Sequence, residues 1–139
     1  MKNPNRRPCR RRGAATVEFA LCVPIFFVCM FAIVEFSRVL QVQQGVRQAA
    51  FEGARAGLAL DAATSDATTA ATNVVTALGI KNATITVTPN PLAYTSSTIS
   101  VTVSATMASN TWFLRFMAGA TPISSTITLD REVDAISNP

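Results

Sequence analysis

Ala14 to Val34 reads AATVEFALCVPIFFVCMFAIV, 21 residues that carry one charge, Glu18, and one proline, Pro24. As a helix rising about 1.5 Å per residue, this run covers roughly 30 Å, the thickness of a bilayer's hydrocarbon core. Only 14% of the chain is charged, where about a quarter is usual for a soluble domain. The apolar weight is concentrated near the N-terminus, so the composition points to a membrane segment rather than a greasy core. At 139 residues, there is room for one small domain besides.

The flanks of the run predict its orientation. Lys2, Arg6, Arg7, Arg10, Arg11 and Arg12 supply six of the twelve basic residues before residue 13. On the other side Glu35 and Arg38 cancel. This asymmetry of Lys and Arg predicts one span with the N-terminus in the cytoplasm. The chain from Ala14 onward holds six basic and eight acidic residues, a net −2, so the overall charge of +4 belongs to a leader.

Other readings of the same segment fit less well. A secretory signal peptide has a shorter apolar core and an A-x-A-like site after it, but here the first such site is Ala54-Arg55-Ala56. A lipoprotein signal needs a small residue before its cysteine, whereas Leu21 precedes Cys22 and Val28 precedes Cys29. A basic arm can bind nucleic acid, yet six charges abutting a span are explained by topology alone, and no nucleic acid is expected as a partner.

Histidine is absent, which removes the commonest general base and metal ligand. Cys9 lies in the leader, and Cys22 and Cys29 lie in the apolar run seven residues apart, on one helix face. That spacing suits small apolar packing residues, not a disulfide framework or a zinc site.

Glu18 is the anomaly. A carboxylate inside a membrane costs a few kcal/mol and marks a functional candidate. Were the chain cut between Gly13 and Ala14, Glu18 would become the fifth residue, about one helical turn from a new N-terminal ammonium. The ammonium of a neighbouring subunit could then neutralise it in low dielectric and set an axial register. The plainer alternative is that Glu18 sits near enough to the interface to be solvated.

Basic residues, then Gly13, then small and apolar residues with glutamate at the fifth place resemble the class III signal cut by prepilin peptidases. More specifically, Arg12-Gly13-Ala14-Ala15-Thr16-Val17-Glu18-Phe19-Ala20-Leu21, followed by Pro24, is similar to the opening of TadE-like proteins, the pseudopilins of tight-adherence (Flp-type) pilus systems. The resemblance continues through Ile33-Val34-Glu35-Phe36-Ser37-Arg38 and through Ala49-Ala50-Phe51-Glu52-Gly53-Ala54-Arg55-Ala56. It covers residues 11 to 58 strongly and the rest by layout only. Major Flp pilins commonly carry tyrosine after the glutamate, where this chain has Phe19, and the length also favours a larger minor pseudopilin. The resemblance implies processing at Gly13 and Ala14, subunit assembly through Glu18 and Phe19, and a family motif at Glu35, Glu52, Gly53 and Arg55. It makes prepilin peptidase, other pilus subunits and an inner-membrane assembly platform the expected partners. Pro24 should bend the span, either as an aid to extraction from the bilayer or as a simple irregularity.

No proline interrupts Glu35 to Leu60, which predicts that the helix runs on beyond the membrane. Phe36, Val39, Leu40, Val46, Ala50, Ala54 and Leu58 recur at three- and four-residue steps among glutamines and Arg47, an amphipathic pattern with a narrow stripe. Towards its end the helix becomes small, at Ala49, Ala50, Gly53, Ala54, Ala56 and Gly57. Each glycine costs about 1 kcal/mol of helix propensity relative to alanine. Tight packing is therefore expected there, against the chain's own sheet in preference to another subunit. Glu52 and Arg55 are spaced for an i,i+3 pair.

Asp61 to Asp66 is a polar break. Ala67, Ala70, Ala71, Val74, Val75 and Leu78 follow at helical spacing, with Gly79 where a C-terminal cap belongs. The period then falls to two. Ala83, Ile85 and Val87 alternate with threonines; Ile99, Val101, Val103, Ala105 and Met107 alternate with Ser and Thr; Ile123, Ile127 and Leu129 continue the theme. Three strands of a one-sided antiparallel sheet are predicted, with the two helices covering the apolar face. The fold class expected is α+β in a pilin-like outline: a long N-terminal transmembrane helix continuing into a small head with one further helix and a three-stranded antiparallel sheet. Its parts are a basic cytoplasmic leader (1–13), a span (14–34), the helix's extramembrane continuation (35–60) and the head (61–139). The apolar stretch Asn110 to Met117 reads either as a docking patch or as a short helix closing the core. Asp130, Glu132 and Asp134 alternate on one strand face around Arg131, as a solvated edge would.

No catalytic triad, metal cluster, phosphate loop or cleft carboxylate pair is visible in the sequence, and neither an enzyme nor a cofactor is expected. The function implied is structural: a minor pseudopilin processed by a prepilin peptidase and active in biogenesis of an adhesive pilus. Its expected place is the bacterial inner membrane with a periplasmic head, and the extracellular pilus after assembly. The alternative is an uncleaved, single-pass accessory protein whose head binds a secretion or pilus-assembly partner in the periplasm.

Overall fold

The computed structural model describes residues 11–92, 97–112 and 121–131. The elements run α1 (Arg11–Gly57), α2 (Thr64–Ala77), β1 (Ala83–Thr88), β2 (Thr98–Thr106), α3 (Met107–Asn110) and β3 (Pro122–Asp130). The chain divides into two units, Met1–Val34 and Glu35–Pro139.

In the first unit the described residues are helical, and the helix continues through Pro24. From Gly13 to Val34 no side chain is buried; Phe19 is 71% exposed and Ile33 68%. A helix apolar all round and wet on every face would be unstable in water. It is the arrangement expected of a segment whose solvent is hydrocarbon, and it is long and apolar enough to cross a membrane.

The second unit is the predicted α+β head. Its sheet has the order β1-β2-β3 and both pairings are antiparallel. Alternation decides the two faces. Ile99, Val101, Val103 and Ala105 point inward and are buried. Ser100, Thr102 and Ser104 point outward. The register lines up three rows of hydroxyls, Thr84-Ser104-Ser124, Thr86-Thr102-Thr126 and Thr88-Ser100-Thr128. Two hydroxyl pairs are hydrogen-bonded across β2 and β3, Ser100 with Thr128 at 2.7 Å and Thr102 with Thr126 at 2.8 Å.

Both helices cover the apolar face. From α1 come Val42, Val46, Ala49, Ala50 and Ala54; from α2 come Ala67, Ala71 and Val75. Tight packing by small residues is met as expected. A Cβ added at Gly53 would lie 3.0 Å from the Ala67 carbonyl oxygen, 3.1 Å from the Ala71 Cβ and 3.2 Å from a Val101 methyl. At Gly57 it would meet Ala67, Ile99 and Leu92 at 3.4 Å. The partners are thus the chain's own second helix and sheet.

Helix ends account for the connections. α1 stops at Gly57, short of the expected Leu60. The Leu58 amide is shared between the carbonyls of Ala54 and Arg55, Ala59 donates to Ala56, and Asp61 takes a positive φ of 60°. Three-residue steps of this kind close an α-helix once a glycine has weakened it. At the start of α2 the Asp66 carboxylate accepts the Ala63 amide at 2.9 Å, and the Asp66 amide donates back to the Ala63 carbonyl at 3.0 Å. Thr68 and Thr72 tie their hydroxyls to the carbonyls of Thr64 and Thr68, which holds a threonine-rich helix together. Gly79 caps α2 as predicted, with φ of 62°. The Ile80 amide reaches the Val75 carbonyl and the Gly79 amide reaches that of Thr76, the two bonds of a Schellman motif.

Met107 departs from expectation. Alternation extends β2 to Met107, but the strand ends at Thr106 and Met107 begins the one-turn helix α3, with its side chain still buried. The Asn110 side chain explains the turn. Its Oδ1 accepts the Lys81 amide at 2.8 Å, and its Nδ2 donates to the carbonyls of Lys81 and Thr106, both at 2.9 Å. This buried amide splices the end of β2 to the entrance of β1. Asn110→Ala strands those three backbone groups, and groups left unpaired in this way cost about 1–3 kcal/mol. A loss near 2 kcal/mol lowers the melting temperature of a domain this size by about 8–16 °C. Thermal melts of the full chain in detergent, followed by circular dichroism, check it; a variant melting with the parent would show that the splice carries no stability.

Candidate functional site

The sequence-predicted residues fall into two groups, one on the apolar segment and one in the head. On the apolar segment, Gly13, Ala14, Glu18 and Phe19 are all exposed on the first turns of α1. Nothing lies within 4 Å of the place a Gly13 Cβ would occupy. Glu18 makes no hydrogen bond or ion pair among the described residues, so any partner for its charge lies outside this chain or in solvent. Cys22 and Cys29 are free and exposed.

In the head, Glu35 and Arg38 meet the segment that follows β2. A Glu35 carboxylate oxygen accepts the Trp112 amide at 2.8 Å. Arg38 donates to the Gln41 side chain at 2.9 Å and reaches the carbonyls of Asn110 and Gly79 at 3.4 Å. Charge on α1 thus fastens two loops that carry free carbonyls and an amide, the ordinary use of ionised groups at loop ends. Gly53 sits in the contact with α2 and β2 described above. Glu52 is half-buried and Arg55 exposed, and no interaction joins them among the described residues. The i,i+3 pair expected from their spacing is therefore not formed.

Two residues escaped the sequence reading. The sequence shows Asn110 only as the start of an apolar stretch, and its bonds to Lys81 span 29 residues. Arg131, read as an interruption in an acidic edge, donates to the Gly57 carbonyl at 2.9 Å and closes the C-terminus of α1. A cation at that end also complements the helix dipole. A lone Arg amid acids could have flagged a buried role, but nothing local names its partner. Glu132 and Asp134 lie outside the described residues, as does Phe113 to Met117. Of the apolar stretch, Trp112 is described and is 92% exposed. Among the described residues, Met107, Asn110 and Thr111 are buried at that end of the core.

Among the described residues no group of His, Cys, Asp and Glu could hold a metal ion. A shallow groove along α2 is lined by Thr64, Ser65, Thr68, Thr69, Thr72 and Asn73; it contains no ionisable side chain and offers no acid, base or activated nucleophile.

Comparison with known families decides the matter for the first helix. Residues 13–55 match the family model described as TadE-like protein. Over those residues helix α1 is similar to TadE-like proteins. The matched segment runs from the exposed Gly13 through Glu18, Glu35 and Gly53 to Arg55, the stretch on which the sequence resemblance rested. No curated protein and no solved structure matches the chain. The TadE-like family is one of structural, pilus-associated proteins, and the likeness points to involvement in Tad pilus assembly. The N-terminal apolar helix, the one among the described residues long and apolar enough to cross a membrane, supports a membrane-anchored protein.

Proposed function

We propose that this TadE-like chain is a minor pseudopilin, cut between Gly13 and Ala14 by a prepilin peptidase and active in assembly of an adhesive Flp-type pilus. The observation that carries the reading is Glu18: a carboxylate without a partner among the described residues, on an otherwise apolar helix, five places after an unobstructed glycine. Removal of the leader takes away six positive charges and creates one ammonium within about a turn of Glu18. The charge deficit of one subunit's helix is then answered by the terminus of the next. Other pilus subunits and the inner-membrane platform are the partners, with the head periplasmic while the helix is still in the bilayer.

One observation favours the second reading, an uncleaved anchored accessory protein. Gly13 and Ala14 lie within α1, and a helical peptide bond must unwind before a protease can act on it. Gly13 lowers that cost, since glycine is worth about 1 kcal/mol less than alanine in a helix. The intact mass of the chain, purified from membranes with active prepilin peptidase, separates the two. A chain beginning at Ala14 is expected, and Gly13→Leu is expected to retain the leader completely. A wild-type chain that keeps its leader under those conditions overturns the pseudopilin reading.

A further inference from the structure

We propose that Trp112 is a membrane-interface anchor whose indole enters the lipid headgroup zone. The inference rests on the reading that residues 14–34 cross a bilayer. Trp112 is 92% exposed, an uncommon state for the largest side chain of a small domain. It is nonetheless held in place, because its amide is bonded to the Glu35 carboxylate at 2.8 Å. Glu35 is the first residue after the apolar run. The headgroup zone is about 5–8 Å deep on each side of the hydrocarbon, and one residue of helix advances about 1.5 Å. The Trp112 amide is therefore bonded to a residue that, on the span reading, follows the hydrocarbon directly. Phe36, one residue further along α1, is also exposed, at 62%.

The chemistry of the side chain suits that depth. An indole has a broad apolar body and one N–H donor, and it is enriched where hydrocarbon gives way to headgroups. A bilayer is also the surface whose presence beside Glu35 follows from the span itself, whereas a protein partner would have to be brought there. The indole then gives the chain a second point of membrane attachment besides the span.

Trp112 is the chain's one tryptophan, so its fluorescence reports this site alone. The full chain is reconstituted into phosphatidylcholine vesicles and separated by flotation. Lipids brominated near the carbonyl end of the acyl chain and aqueous iodide are then used as quenchers. The expected result is that the floated protein loses most of its tryptophan emission to the brominated lipid and little to iodide. Emission quenched by iodide and untouched by brominated lipid overturns the proposal while leaving the span intact. Protection from both quenchers also overturns it, since the indole would then be covered by protein, a second copy included. Failure of the chain to float would overturn the span reading itself, and this inference with it.

Discussion

Gly53→Val is expected to be the most damaging single substitution in the head. Valine's Cβ would lie 3.0 Å from the Ala67 carbonyl oxygen and 3.1 Å from the Ala71 Cβ, and its two methyls would have to enter the same contact. Both neighbours belong to α2, one of them is backbone, and neither can move without shifting the helix. Extra carbon forced into a packed core costs about 1–3 kcal/mol and occasionally more; the gain in helix propensity over glycine returns about 0.5 kcal/mol. We expect a net loss near 2.5 kcal/mol, which lowers the melting temperature by about 10–20 °C for a domain of this size. Gly45→Ala provides the contrast. A Cβ there meets the terminal methyls of Ile80 and Leu78, at 2.6 and 2.8 Å. These are ends of flexible side chains that can turn aside, and alanine contributes up to about 1 kcal/mol of helix propensity. Parallel melts should place Gly45→Ala at or above the parent and Gly53→Val far below it. Similar melting temperatures for the two would show that the backbone contact at Gly53 is not what excludes a side chain.

The second large effect is expected at Glu18, and it is one of assembly with stability unchanged. Glu18 is exposed and unpartnered among the described residues, so Glu18→Ala leaves the head's melting temperature and the removal of the leader as they are. On the proposed function, the change strands a neighbouring subunit's ammonium in low dielectric. Breaking one side of a buried ion pair costs about 3–5 kcal/mol, or roughly two to four orders of magnitude in association. Processed chain recovered with sheared pili, set against chain left in the membrane, reads this directly. Glu18→Gln tests the charge: it keeps the shape and the polarity and should assemble as poorly as alanine. Normal recruitment of either variant would sink the charge-pairing mechanism while leaving the family assignment untouched.

What could be read in the sequence was whatever is written at short range. The step from 3.6-residue spacing in Ala67, Ala71 and Val75 to alternation in Ile99, Val101 and Val103 located α2 and the strands, because burial on one face imposes those two periods directly. Gly79 was legible as a cap because a left-handed residue after a helix is almost always glycine. The helix of small residues announced a close approach, and its partner could be inferred because the sheet needed a cover. Long-range polar bonds left no such trace. Asn110 bonds to Lys81 and Arg131 to Gly57, 29 and 74 residues away, and neither partner has a distinctive side chain, since the atoms bonded are backbone. The end of β2 was overrun by one residue for the same reason: Met107 is buried whether the chain goes straight or turns, so periodicity could not tell the two apart. Glu52 and Arg55 had the right spacing, yet spacing confers only a few tenths of a kcal/mol on an exposed pair, too little to decide a conformation.

The far half of α1 supplies Val42, Val46, Ala49, Ala50 and Ala54 to a core whose other side includes β2 and whose covering sheet is completed by β3, the last described strand. The order of synthesis then matters. The helix is made first and its partners last, so during synthesis its apolar stripe has no sheet to lie against. Whatever shelters that stripe in the interval, lipid, a chaperone or the helix of another subunit, competes with the head for the same surface. The nascent protein is thus held open to exchange until its final strand arrives.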